Sequence, residues 1–317
     1  MVEISEGIRR VTFPLPWQLD HVHAYLLEAD DGWIVVDAGL GTPDAREQWS
    51  HALSELAAPV SRIVITHFHP DHIGGTGHLV ELTGAPVSQS AIDHETACSV
   101  WGEEDWALRL AAWYRNHGLS AALADEVIEE AAKLRANVLW PRTPELMHPG
   151  DRVKAAGEDW EVVPMPGHAD GQIVLLGLQT RRMIAADHIL ATISPNIGLH
   201  PESAEDPLGD YLTSLQRTIA LAPSIAFGGH HHPIEDPVGR AEELRQHHHE
   251  RLEATIGALG RETLSAYEVS LRLFGAELPT HGRRFAVAET LAHLVRLEID
   301  GQIVRVDTDS GVQWSHA

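Results

Sequence analysis

Thr66-His67-Phe68-His69-Pro70-Asp71-His72-Ile73-Gly74-Gly75 is the stretch on which the reading of this chain turns. It follows Ile63-Val64-Ile65, a short apolar run of the kind expected for a strand covered on both faces. In extended chain, residues two apart share a face, so His67 and His69 can grip one ion together. Pro70 then turns the chain and directs Asp71 and His72 toward a second ion. With 22 histidines in 317 residues, this arrangement arises by chance in under about 1% of such chains, so the motif is specific.

Working outward, short β-rich runs alternate with helical stretches. Val11–Phe13, His23–Leu27 and Trp33–Asp37 read as strands, and Asp44–Leu56 as a crossover helix. Trp160–Val163, Ile173–Leu176 and Met183–Ala186 resume the strand rhythm, residues 208–222 form a helix, and Ile225–Phe227 a last strand. Such alternation indicates a layered α/β core. Residues 93–145 break it with a helical pattern that holds Trp101, Trp106, Trp113 and Trp140. They read as an inserted helical hairpin with an aromatic core, or as a lid lining a substrate channel. Beyond residue 240 come a charged helix (Ala241–Leu259), a capping-box helix opened by Ser265 and Glu268, a helix over Phe285–Leu297 and a terminal β-hairpin. This tail resembles a winged helix. The chain therefore divides into residues 1–240 and 241–317.

Further signals lie at the ends of strand-like runs: Asp37 in Val-Val-Asp-Ala-Gly, His168 in Pro-Gly-His, Asp187 in Ala-Ala-Asp-His and His230 in Gly-Gly-His. Together with the loop, they resemble the metallo-β-lactamase superfamily of dinuclear metallohydrolases, over roughly residues 8–236. The resemblance implies a four-layer αββα sandwich with the metals at one edge of the two sheets. It implies that His67, His69 and His168 hold one metal, that Asp71, His72 and His230 hold the other, and that Asp187 bridges them. Asp37 would orient a ligand histidine, and His188 would stand behind the ligands. A one-residue slip to His231 or His232 stays open. The implied ions are two divalent cations, zinc first, with iron or manganese as alternatives. The implied reaction is attack by a metal-bound hydroxide on an ester, thioester or lactone, with Asp71 as the catalytic carboxylate.

Composition narrows the alternatives. The 46 acidic residues outnumber 23 basic ones, and residues 242–317 alone carry 12 acids against 8 arginines. A nucleic-acid surface needs the reverse, so a phosphodiesterase or ribonuclease, or a DNA-binding regulator with a vestigial metal site, is disfavoured. The tail is expected to cover the catalytic domain or to form a homodimer. Cys98, the lone cysteine, lies away from every motif and excludes disulfides and cysteine-ligated lactamases. No basic-then-apolar leader opens the chain and no long apolar run occurs, so a cytoplasmic protein without a membrane partner is expected. Its substrate is expected to be a small molecule with an apolar acyl or aryl part. The segment Ile193–His200 reads as a pocket rim, with Trp113, Asn196 and Tyr211 on the substrate side. His247–His249 reads as a solvated helix face.

Overall fold

The computed structural model describes residues 1–17 and 19–317. Seven strands form the first sheet in chain order: β1 (Val2–Ser5), β2 (Ile8–Pro14), β3 (His21–Ala29), β4 (Gly32–Val36), β5 (Val60–Ile65), β6 (Val87–Ser90) and β7 (Glu145–Met147). A five-stranded sheet is built from β8 (Arg152–Ala155), β9 (Glu158–Pro164), β10 (Ile173–Gly177), β11 (Arg182–Ala186) and β12 (Ile225–Gly228), in the order β12-β11-β10-β9-β8. The hairpin of β13 (Ile303–Thr308) and β14 (Gly311–His316) stands apart.

The two-residue period of the strands sorts their side chains into layers. Val64 of β5, Ile34 and Val36 of β4, Ile173 and Leu175 of β10, and Ile184 of β11 meet between the sheets. Alternate residues point outward: Ile63 and Ile65 toward Trp49 of the helix Pro43–Ser54, and Val174 and Leu176 toward Leu208, Tyr211 and Leu215 of the helix Pro207–Leu221. Because every strand of this kind is buried on both faces, its sequence is a continuous apolar run. The four layers are helix, sheet, sheet and helix, as the resemblance implies.

Residues 93–145 are helical over Trp106–Asn116 and Ala121–Arg135, preceded by the helix Ala91–Ala97 and one wide π-type turn at Cys98–Gly102. Trp101 and Trp106 are buried, with ring centroids 5.7 Å apart. The insertion is clamped from both sides. Trp101 Nε1 donates to Phe68 O (2.8 Å) in the histidine loop. On the other side, Tyr267 N donates to His117 O (3.1 Å) and Tyr114 Oη to Arg284 O (3.2 Å) in the C-terminal region.

The charged helix begins earlier than the pattern implied. It spans Pro237–Leu259, because Asp236 accepts a hydrogen bond from Gly239 N (2.9 Å) and Pro237 occupies the first turn. A boundary drawn at 240/241 therefore falls inside one continuous helix. The capping box at Ser265 and Glu268 forms as read, opening the helix Ala266–Phe274. The helix Thr280–Ile299 and the β13–β14 hairpin complete the tail, and Leu264 pairs with Trp314 to tie them together. His247–His249 is not a uniformly solvated face: His248 is buried, its Nδ1 3.3 Å from His293 Nε2. No helix among the described residues is long and apolar enough to cross a membrane.

Candidate metal centre

Five strand ends converge on one edge of the sandwich. Asp37 follows β4, the histidine loop follows β5, His168 follows β9, Asp187 follows β11 and His230 follows β12. Three of the residues that shape this edge are non-glycine residues with positive φ: Asp37 at 64°, Ala186 at 45° and His231 at 65°. Left-handed backbone of this kind costs on the order of 1–3 kcal/mol per residue, and functional sites are where it accumulates. Pro70 at the start of the short helix Pro70–Ile73 needs no amide partner and sets the first turn that carries Asp71 and His72.

The side chains form three overlapping groups: His67, His69 and His168; His67, His72 and Asp187; and Asp71, His72 and His230. Within each group, the candidate donor atoms lie within 4.8 Å of one another. His69 Nδ1 is 2.8 Å from His168 Nε2. Asp187 is central: its Oδ2 is 3.2 Å from His230 Nε2 and 3.7 Å from His168 Nε2, and its Oδ1 is 3.4 Å from His72 Nε2. Asp71 Oδ2 is 3.6 Å from His230 Nε2.

The outer nitrogens explain this aim. His72 Nδ1 is held by Asp37 Oδ2 (2.8 Å), His67 Nδ1 by Thr66 Oγ1 (3.0 Å), His168 Nδ1 by Asn196 O (2.9 Å) and His230 Nδ1 by His21 O (2.6 Å). Each Nε2 is thereby turned inward. Those of His67, His72 and His230, with Asp187 Oδ1, are buried and have no hydrogen-bond partner in the protein. Buried polar atoms left in this way cost about 1–3 kcal/mol each unless something satisfies them. Five imidazoles and two carboxylates turned toward one another in three overlapping groups suit divalent cations, so the residues present fit the group that the sequence implied.

Charge follows the same geometry. Burial, with the neighbouring His72, drives the His67 pKa well below the usual range. Burial also opposes charge on His72, but Asp187 and Asp37 outweigh it and hold its pKa well above the ordinary value. Gly229 has to be glycine for space. A β-carbon there would press on Asp187 Oδ1 and lie 2.7 Å from His72 Cε1.

The remaining sequence-predicted residues fall outside the cluster. His188 is buried, its Nε2 2.6 Å from Thr218 Oγ1, so its ring turns away from the donor atoms into the helix Pro207–Leu221. Tyr211 is fully buried and donates to His188 O (3.0 Å), which gives it a packing role and no face for a substrate. Asn196 is engaged at both ends, by His168 through its carbonyl and by Glu289 Oε2 through Nδ2 (3.3 Å). Trp113 is half-buried, with its ring 6.3 Å from that of His200. His231 and His232 are absent from the three donor groups, whereas His230 is present.

Three supports were not singled out from the sequence. Thr66 Oγ1 donates to Asp37, His21 O holds His230, and buried Asp93 accepts from Phe68 N (2.9 Å) between His67 and His69. Only Thr66 carried a signal, as the residue that opens the motif.

The family model described as Metallo-beta-lactamase superfamily matches residues 17–230, two thirds of the chain. The chain belongs to the metallo-beta-lactamase superfamily. A second model, Metallo-beta-lactamase-like, C-terminal domain, matches residues 252–316 and describes the tail in those terms, not as a winged helix. A metallo-beta-lactamase family protein of Thermus thermophilus has the same fold, with a TM-score of 0.86 and 34% identity over 98% of this chain and 99% of its own. The probable metallo-hydrolase YqjP of Bacillus subtilis is 27% identical over 94% of both chains. A more distant relative, 19% identical over 93% of this chain and 80% of its own, is named atrochrysone carboxyl ACP thioesterase, from Claviceps purpurea.

Proposed function

We propose that this member of the superfamily hydrolyses ester, thioester or lactone bonds with two divalent ions, zinc by preference, held by His67, His69, Asp71, His72, His168, Asp187 and His230. The observation that carries the reading is the two donor groups, His67 with His69 and His168, and Asp71 with His72 and His230, joined by a third that contains Asp187, with the Nε2 atoms of His67, His72 and His230 and Asp187 Oδ1 buried and unpartnered. Bound ions of this kind supply Lewis acidity and bring the pKa of a water toward about 7.

The chain's own residues do the rest. Asp71, at the edge of the cluster and 9% exposed, is placed to hold a water in line and to take up its proton. Water adds to the carbonyl carbon, the bond to the leaving oxygen or sulfur breaks, and the proton held at Asp71 passes to the leaving group. No protein nucleophile is needed. Asp37 and Thr66 keep His72 and His67 in the tautomers that present Nε2. The thioesterase name of one relative supports the choice of an acyl substrate. The formal charge of −23 weighs against a polyanionic one.

The test is a substrate panel on metal-loaded protein: aryl esters, acyl thioesters, lactones and a phosphodiester. Turnover of one of the carbonyl substrates is expected, and turnover of the phosphodiester alone would refute the reading. His69→Ala is expected to lose most bound metal and nearly all activity. Two metals per chain retained in that variant, by inductively coupled plasma mass spectrometry, would refute the ligand assignment.

A further inference from the structure

The turn that carries His230 is held from the opposite sheet. β4 pairs with β3 from Ala29 only as far as Tyr25, which leaves one edge of β3 open at residues 21–23. Residues 229–231, which follow β12 of the second sheet, take that edge. His23 N donates to Gly229 O (2.7 Å), and His230 Nδ1 donates to His21 O (2.6 Å).

Side chains complete the grip. His21, His23 and Tyr25 are spaced two apart, so they share one face of β3. His21 Nε2 accepts from His231 N (2.9 Å), His23 Nε2 donates to His231 O (2.7 Å), and Tyr25 Oη donates to Gly228 O. Each ring is set for its role from behind. His21 Nδ1 donates to Asp20 Oδ1, which leaves Nε2 as the acceptor. Thr12 Oγ1 donates to His23 Nδ1 (3.0 Å), which leaves Nε2 as the donor.

His231 needs that grip. Its φ is 65°, in the left-handed region where a β-carbon is crowded by the backbone. Its own Nε2 is buried without a partner. Its N–H and its C=O are both taken by histidines of β3. Released from them, the residue relaxes toward negative φ and turns the adjoining His230 with it.

We propose that His21 and His23 are positioning residues for one of the two ions. By holding His231 in the left-handed conformation, they aim His230 Nε2 at Asp187 Oδ2 and Asp71 Oδ2, 3.2 and 3.6 Å away. The effect falls on the ion assigned to Asp71, His72 and His230 and spares the one assigned to His67, His69 and His168. This rests on the ligand assignment given above and not on the reaction.

Zinc binding by the full chain tests the clasp, read as ions per chain by mass spectrometry and as affinity in competition with a chromogenic chelator. Wild type is expected to take up two ions. His23→Ala is expected to weaken one ion about 10-fold or more and to leave the other within about 3-fold, the pattern that His230→Ala shows in stronger form. His23→Gln, whose amide can donate to His231 O, should recover most of the loss. Adding His231→Gly to His23→Ala should recover part of it, because glycine adopts the left-handed conformation without a clasp. Equal weakening of both ions in His23→Ala would mark a merely structural role and overturns the proposal. No weakening, or no recovery on adding His231→Gly, overturns it as well. Should His23→Ala fail to fold, the more exposed His21→Ala and its double variant with His231→Gly decide by the same outcomes. A wild type that binds fewer than two ions overturns the ligand assignment and the clasp together. Two ions bound in the expected pattern, with no carbonyl substrate turned over, refutes the hydrolase reading and leaves the clasp standing.

Discussion

Four of the candidate ligand histidines, His67, His72, His168 and His230, are aimed by the nitrogen they do not offer. Asp37 holds one side of His72, and the other side faces Asp187. Replacing Asp37 by Ala leaves that ring free to rotate and is expected to weaken metal affinity about 10–100-fold, measured by competition with a chromogenic chelator. An unchanged affinity would show that packing alone orients His72. The space between donors matters as much as the donors. Gly229→Ala places a methyl group against Asp187 and His72, so metal content should fall while the far-UV circular dichroism of the apo-protein stays the same. Wild-type metal content in that variant would contradict the close packing seen here. At this scale, the His67–His72 loop was legible from its spacing, whereas His21 and Asp93 were not. Those two act on residues 209 and 25 positions away, and no local pattern records such a contact.

Among the elements, the loop after β11 and the helix Thr280–Ile299 behave as one support. Glu289 bonds the side chain of Asn196, whose carbonyl holds His168. Glu289→Ala is expected to release metal several-fold faster in a stopped-flow chelator assay, while Glu289→Gln, which keeps an acceptor for Asn196, restores most of the wild-type rate. Equal behaviour of the two variants would remove Glu289 from the support of the site. A second device sits ahead of His168. Gly167 has φ 131°, and a β-carbon there would lie 2.5 Å from Tyr211 Cα, so the helix Pro207–Leu221 can approach only a glycine. Strands and helices were largely readable here, because apolar runs, proline starts and the Ser265 capping box are local signals. Strands β1, β7 and β8 were not. They are three or four residues long, and their pairing with neighbours creates them.

For the molecule as a whole, insertion, catalytic sandwich and tail share buried seams that contain neutral histidines. Burial first, then His293, lowers the pKa of His248 to about 2. Burial lowers His293 and His117 to about 4. These folded-state values lie below the 6.5 of a free imidazole, so the unfolded chain binds more protons as acidity rises. The stability they contribute is present above about pH 6.5 and is lost as pH falls toward 4. Melting of the apo-protein between pH 7.5 and 4.5 should show that decline, and His248→Gln should flatten it. A melting temperature independent of pH in the wild type would refute the assignment.

What could be known before folding is what repeats locally: alternating apolar runs, turn residues, and ligands spaced two and three apart after a strand. These sufficed for the layered α/β class and for the ligand candidates, because strand ends and short loops leave their side chains few directions. The two nitrogens of each imidazole look alike in a sequence, and so do an arginine that meets a carboxylate and one that does not. Packing separates them. It brings His21 to His230 and Asn196 to His168, across separations that local propensity cannot encode. Tyr211 and His188 shared the neighbourhood of the motif in sequence, yet core packing claimed both.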